Sequence, residues 1–288
     1  MTDASHQPAT VPGSRRYALH SDRIGETFQI DVALPSFGRA DVPLPVIYLT
    51  DANTVFGIAA QALRFLQNAD GVPPALLVGV GYQLGGARRR RSDYGGLRTR
   101  DLTPSFDAGF HARLMAERQG EPLADDIAPA GGADAFLDFL VDELRPFIAE
   151  RYLTDPQDQT LVGSSLGGLF NLHALFTRPG AFQRHVANSP ALWWDKGRLF
   201  DTEAALAARS AALPARLFLS VGSLETGAPW DMVEGVRRLA ERLDARAHEG
   251  FAFDHHVFED ETHTSVIPAA LSRGLRRVFA LPNPAIPA

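Results

Sequence analysis

The 288-residue sequence contains no cysteine, which excludes disulfide bridges, zinc–thiolate sites and cysteine nucleophiles together. Lysine occurs once, at Lys196, so arginine supplies nearly all of the positive charge. Long apolar runs are missing. Nothing approaches the roughly 20 residues that cross a bilayer, and the polar, proline-bearing residues 1–13 lack the apolar core of a secretory signal. The expected location is the cytoplasm, with no membrane partner. An excess of positive charge is missing too: the formal net charge of −6 argues against a nucleic-acid surface. What is present, 45% hydrophobic and 22% charged residues, is ordinary for a soluble globular protein. The length suits one large α/β domain or two small ones.

The hydrophobic pattern favours one domain. Residues 1–14 read as a disordered tail, and residues 15–282 as a single domain with no linker or internal repeat. Alternation such as Phe28-Gln29-Ile30-Asp31-Val32 predicts two antiparallel strands over 16–35, joined near 21–25. Continuous apolar runs at 45–49 and 75–80 predict strands covered on both faces. Further strands are expected at 159–163, 184–188, 215–221 and 253–258. Helical spacing is expected at 54–68, capped by Asn53 or Thr54, and at 134–152, with Asp134 as cap and a kink at Pro146. More helices are expected at 166–176, 231–243 and 265–279. Strands alternating with helices imply a mostly parallel central sheet with an antiparallel N-terminal edge and helices on both faces. Residues 82–133 break the alternation. A long, polar, glycine-rich stretch inside a compact domain is either a lid or binding loop, or a disordered surface excursion.

The chemistry is carried by Gly163-Ser164-Ser165-Leu166-Gly167, followed by Gly168. This fits the G-x-S-x-G elbow, which needs a tight strand-to-helix turn to expose the serine hydroxyl. The apolar Thr160-Leu161-Val162 before it and the apolar helix after it supply that setting; the bland alternative is a glycine-rich packing turn. Ser165 needs a base. In the order serine, acid, histidine, the base falls on a loop after the last strand, where His263 stands. His248 precedes that strand. His255 and His256 lie within it and point to opposite faces, so Asp254-His255-His256 is a poor metal set.

The acid should follow a late strand. Glu225 is the first candidate and Asp231 the alternative, although Asp231 also suits a helix N-terminus. The oxyanion hole needs two backbone donors. Leu166 is one by position, and Ala52, in the loop after residues 45–49, is the candidate for the other.

Several segments together resemble the esterase D-like family, on the branch of hydrolases that includes the siderophore trilactone esterases. They are Pro45-Val46-Ile47-Tyr48-Leu49-Thr50-Asp51, Val78-Gly79-Val80-Gly81-Tyr82, Arg98-Thr99-Arg100-Asp101-Leu102-Thr103-Pro104 and Glu143-Leu144-Arg145-Pro146-Phe147-Ile148. After the elbow come Ser189-Pro190-Ala191-Leu192-Trp193-Trp194, Val221-Gly222-Ser223-Leu224-Glu225 and His263-Thr264-Ser265-Val266-Ile267-Pro268. The resemblance spans roughly residues 45–271. It implies an α/β-hydrolase fold, no cofactor or metal, and ester hydrolysis through an acyl-enzyme, with Ser165 as nucleophile and His263 as base. Two departures stand out. Relatives often carry Asp-Gly where this chain has Asp51-Ala52, and the acid here is Glu225 rather than aspartate.

The substrate is expected to be a small-molecule ester, bound by Asp51, Arg98, Arg100, Trp193 and Trp194. Arg88 to Arg91, with Arg98 and Arg100, would form a basic rim suited to an anionic, aromatic ligand; the alternative is a solvated arginine run. Of Trp193 and Trp194, one is expected to pack the core. Two other activities remain compatible with these residues: acyl transfer at the same serine, and ligand binding without catalysis on the same fold. No oligomeric state follows from the sequence.

Overall fold

In the computed structural model, residues 10–38, 41–69, 71–86, 89–117, 124, 126–128, 130–227 and 230–281 are described. Strands β1 (Ser14–Ser21) and β2 (Glu26–Ala33) form the expected antiparallel hairpin, with Ser14 opposite Ala33 and Ser21 opposite Glu26. The remaining strands are β3 (Leu44–Leu49), β4 (Leu76–Tyr82), β5 (Thr154–Ser164), β6 (Arg184–Asn188), β7 (Ala212–Gly222) and β8 (Glu249–Phe258). The sheet order is β1-β2-β4-β3-β5-β6-β7-β8. β2 runs antiparallel to β4, and all pairs from β4 to β8 are parallel.

The helices are α1 (Ala52–Ala69), α2 (Tyr94–Leu102), α3 (Ala108–Glu117), α4 (Ala133–Asp138), α5 (Arg145–Ala149), α6 (Leu166–Thr177), α7 (Arg198–Arg209), α8 (Met232–Arg246) and α9 (Ile267–Ala280). Period-two alternation sorts the strand residues between two layers. Ile47, Leu49, Leu77, Val162, Val186 and Phe218 pack with Phe56 and Leu63 of α1 and Leu271 and Leu275 of α9. Val46, Tyr48, Val78, Leu161, Leu217 and Leu219 face the opposite layer, with Phe136, Phe170, Leu199 and Leu239. Each fully buried Leu or Phe contributes about 2 kcal/mol over exposure. An exposed ion pair such as Arg237–Glu234 contributes about 0–1 kcal/mol. The two apolar layers, not the surface charges, hold the sheet covered.

Several details depart from the sequence expectations. Val11 to Ser14, read as tail, are docked on α1: Arg64 donates to the Pro12 carbonyl and Val11 packs among the α1 side chains. Residues 1–9 of that tail lie outside the described residues. Helix α1 begins at Ala52, so Asn53 is not its cap; its amide instead pairs both backbone groups of Tyr82, at 2.9 and 2.7 Å. Residues 133–149 form one continuous helical run, but it is not α throughout. A π-helical turn, Phe139–Leu144, separates α4 from α5, and the Arg145 amide donates to Leu140, five residues back. Pro146 follows this turn, inside a run that stays helical from Ala133 to Ala149, so its missing N–H interrupts the ladder where the helix widens. Asp134 accepts from His173 Nε2 at 2.8 Å rather than capping α4, whose cap position is Gly132.

Where it is described, the 82–133 stretch carries helices and buried side chains. A 3-10 turn at Arg91–Asp93 leads into α2, and Leu97 and Leu102 sink into the core. Arg100 and Asp101 are buried together in a fork of 2.7 and 2.8 Å, and Arg100 also reaches Glu26 of β2. Tyr82 on β4 donates its hydroxyl to the Leu97 carbonyl and to Asp101. These contacts anchor α2 onto the antiparallel edge of the sheet.

Candidate active site

Neighbouring parallel strands β3 and β5 end in the same way. Each runs into a turn residue with φ of 59°, Asp51 after β3 and Ser165 after β5, and each turn opens directly into a helix. A positive φ on a side-chain-bearing residue is strained and must be held by its surroundings. At Ser165 the holding bonds are clear. Its amide donates to Asn188 O at 3.0 Å, and its carbonyl accepts from Leu169 and Ala191 at 2.9 and 3.2 Å. The glycine spacing answers to close approach. A Cβ on Gly163 would lie 2.2 Å from Gly167 O, and one on Gly167 would lie 2.4 Å from Thr50 Oγ1. Ala52 and Leu166, both with buried side chains, are the first residues of α1 and α6. Amides at a helix start have no intrahelical acceptor and carry the positive end of the helix dipole.

β7 delivers Glu225 just past its end, and the loop after β8 delivers His263. His263 Nδ1 donates to Glu225 Oε2 at 2.6 Å; the carboxylate side chain is 2% exposed, the imidazole 45%. Glu225 Oε1 accepts from Ser189 Oγ at 2.6 Å and from the Gly222 amide at 2.7 Å. Burial pushes this carboxyl up, but the bonds from His263, Ser189 and Gly222 outweigh it and hold it below the ordinary glutamate value. With Nδ1 committed to Glu225, Nε2 is the nitrogen left for proton exchange. Asp231 has a different place. It caps α8, accepting from the Glu234 amide at 2.8 Å.

Two cavities meet at Ser165, His263 and Phe110, with volumes of about 390 and 430 Å³. The first is walled by Asp51, Tyr94 and Arg98, and the second by Trp193, Leu224, Trp230 and Met232. Arg98 forks onto Asp51 at 2.6 and 3.0 Å, and Tyr94 donates its hydroxyl to Asp51 at 3.0 Å. Burial pushes the Tyr94 phenol up, so it stays a proton donor there.

Arg100 lines neither cavity. Residues two apart on a helix point to different sides, and Arg100 is spent on Asp101 and Glu26. Trp194 is the core member of its pair: it is 1% exposed and donates to the Ser105 carbonyl at 3.1 Å. Trp193 faces the second cavity and stacks on Trp230, with centroids 4.3 Å apart and planes at 15°. Above Trp230 lies the Arg113 guanidinium, at 4.0 Å.

The arginine run does not rim these cavities where it is described. Arg89 is buried, paired with the buried Glu26 and the exposed Asp126, Arg90 pairs with Asp93, and Arg91 lines a separate polar cavity with Arg16 and Asp31. Arg88 lies outside the described residues. Asp254 pairs with Arg277, His255 stacks on Phe253 and His256 lies edge-on to Phe258. Sequence reasoning missed Tyr94, Phe110, Arg113, Trp230, Met232 and Ser189. Only Ser189 had a signal, standing before Pro190 in the segment that ends at the tryptophan pair.

Comparison with known proteins agrees with this architecture. The Esterase family model, described as "Putative esterase", matches residues 21–266. The ferri-bacillibactin esterase BesA of Bacillus subtilis is 34% identical over 94% of this chain and 91% of its own length. The siderophore triacetylfusarinine C esterase of Aspergillus fumigatus is 33% identical, covering 94% and 95%. The crystal structure of an IroE-like serine hydrolase from Shewanella oneidensis superposes with a TM-score of 0.75 at 26% identity, covering 92% of this chain and 80% of that one. The chain therefore belongs to the esterase family, among relatives named as siderophore esterases, and is a carboxylic ester hydrolase of the α/β-hydrolase fold.

Proposed function

We propose that this enzyme cleaves siderophore-type esters through an acyl-enzyme on Ser165, with His263 as base and Glu225 as the acid that orients it. The observation that carries the reading is the 2.6 Å bond from His263 Nδ1 to Glu225, made where His263 and Ser165 border the same two cavities. His263 Nε2 takes the Ser165 proton as the serine oxygen attacks the ester carbonyl. The amides of Leu166 and Ala52 receive the oxyanion. Collapse expels the alcohol, protonated by His263, and leaves the acyl group on Ser165. Water, deprotonated by His263, then releases the acid and restores the serine. Glu225 stays ionised and stabilises the transient imidazolium.

The substrate class rests on the aromatic cavity and on the relatives. Trp193, Trp230 and Phe110 give the second cavity an aromatic wall, and Arg113 adds a cation stacked on Trp230. That combination suits a delocalised, anionic group such as an iron-chelating arm.

The test is hydrolysis of p-nitrophenyl butyrate and of ferric catecholate and hydroxamate ester siderophores by the wild type and by Ser165→Ala. The expected loss in Ser165→Ala is about 10⁴–10⁶-fold in kcat on every substrate. Activity that survives the substitution rules the mechanism out. Siderophore esters cleaved no faster than simple aryl esters rule the substrate class out.

A further inference from the structure

Arg98 looks, in sequence, like a cation waiting for an anionic substrate. The structure gives it another partner on each side. Its Nε and Nη2 fork onto both oxygens of Asp51, at 2.6 and 3.0 Å, and Nη2 also donates to the Ser164 carbonyl at 3.3 Å. Asp51 immediately precedes Ala52, and Ser164 immediately precedes Ser165 and Leu166. One guanidinium therefore bridges the two strand-to-helix turns that carry the oxyanion amides, each turn held at φ of 59°. Burial would make this arginine easier to deprotonate, but the Asp51 charge outweighs it, so the group stays cationic and neutralised by its partner. Tyr94, one turn earlier on α2, donates to the same carboxylate at 3.0 Å. Helix α2 is in turn anchored to the sheet through Arg100, Asp101 and Tyr82.

We propose that Arg98 is a positioning residue, whose guanidinium sets the separation of the Ala52 and Leu166 amides, and that it is not a substrate-binding cation. This rests on the acyl-enzyme reading above. It makes α2 part of the catalytic frame: swinging α2 away as a lid would break the oxyanion site rather than merely open it. A fork of two donors on a planar cation is what Lys cannot copy. An error of about 1 Å in such a site costs about 100-fold in rate.

The experiment compares Arg98→Lys with wild type on a neutral and an anionic p-nitrophenyl ester. It also measures binding of a trifluoromethyl ketone, which forms an anionic hemiketal on Ser165. The expected result is about a 100-fold fall in kcat on both esters, an equal loss of hemiketal affinity, and KM within about threefold. Methylguanidinium added to Arg98→Ala should restore part of kcat. A loss confined to KM for the anionic ester overturns the proposal, as does unchanged kcat. If thermal melting shows Arg98→Lys to be unfolded, Asp51→Asn keeps the side-chain shape, removes the charge and is expected to lose kcat in the same way. Full activity in Asp51→Asn also overturns the proposal. Ser165→Ala separates the two readings: activity and adduct lost there, with Arg98 variants unimpaired, sinks only the role of Arg98.

Discussion

The two cavities that meet at Ser165 and His263 are close in size, about 390 and 430 Å³, yet their walls are made by different forces. The first wall is pinned. Asp51, Arg98 and Tyr94 use their charges and donors on one another and on the turn backbone. The second wall is stacked. Trp193 stacks on Trp230, Phe110 leans on both at a tilt, Arg113 lies over Trp230, and Trp193 Nε1 donates to Met232 Sδ at 3.2 Å. A charge already paired cannot also recognise a ligand without breaking that pair, which costs about 3–5 kcal/mol when the pair is buried. Phe110, Trp193 and Trp230 still line the second cavity. On the proposed reading, geometry belongs to the first wall and recognition to the second, whereas the sequence assigned substrate contact to arginines and tryptophans alike.

The largest change should come where the walls meet. Glu225→Gln keeps a hydrogen-bonding side chain but gives His263 a partner without charge. We expect kcat to fall by about 10²–10⁴-fold, by the same factor for small aryl esters and for bulky aromatic ones. Unequal factors would mean that Glu225 shapes the second cavity instead of serving both. Stability should respond to pH as well. Folding holds this carboxyl below its ordinary value of about 4.3, so the native state binds fewer protons than the unfolded chain in that range. The stability it contributes is complete above the ordinary value and disappears as pH falls through the depressed one. Melting temperature measured from pH 7 down to pH 3 should fall less steeply in Glu225→Gln than in wild type.

A smaller effect should separate the walls. Trp230→Ala removes the ring that stacks on Trp193 and carries Arg113. A stack and a cation–π contact are each worth about 1 kcal/mol, which places the loss near tenfold. It should appear as a rise in KM for aromatic, anionic esters, with kcat for p-nitrophenyl acetate within about twofold of wild type. An equal loss on both substrates would show that the stacked wall also positions the reacting carbonyl, and the division of labour would fail.

What was legible in the sequence follows the same division. The apolar runs of β3 and β4 and the small residues around Ser165 announce themselves, because burial and close approach leave few residue types to choose from. Glu225 and His263 were picked out by their places after β7 and β8, and the structure brings them within 2.6 Å of each other. Helix α7 was not, because a charged residue, Glu203, sits within its buried face; it is satisfied by Arg242 and Arg246 of α8 at 2.8 and 2.9 Å. Helix α2 was hidden for the same reason, since Thr99, Arg100 and Asp101 are buried beside Leu97 and Leu102 and blur any apolar stripe. The stack of Trp193 on Trp230 is a tertiary fact, made by residues on opposite sides of β7 in sequence.

The smallest expected effect tests which carboxylate serves His263. Asp231 was the alternative acid, and it stands beside the stacked wall, between Trp230 and Met232. Its side chain accepts from the Glu234 amide at 2.8 Å and caps α8. Loss of such a cap costs about 1 kcal/mol, which in a chain of this size lowers the melting temperature by about 2–4 °C. Asp231→Ala should show that shift while kcat on p-nitrophenyl butyrate stays within about twofold of wild type. The first turn of α8 holds Met232, the acceptor for Trp193, so fraying it should raise KM slightly for aromatic esters and leave small ones alone. A fall in kcat comparable to that of Glu225→Gln would mean that Asp231 reaches His263 during turnover, and the assignment of Glu225 as the acid would be lost.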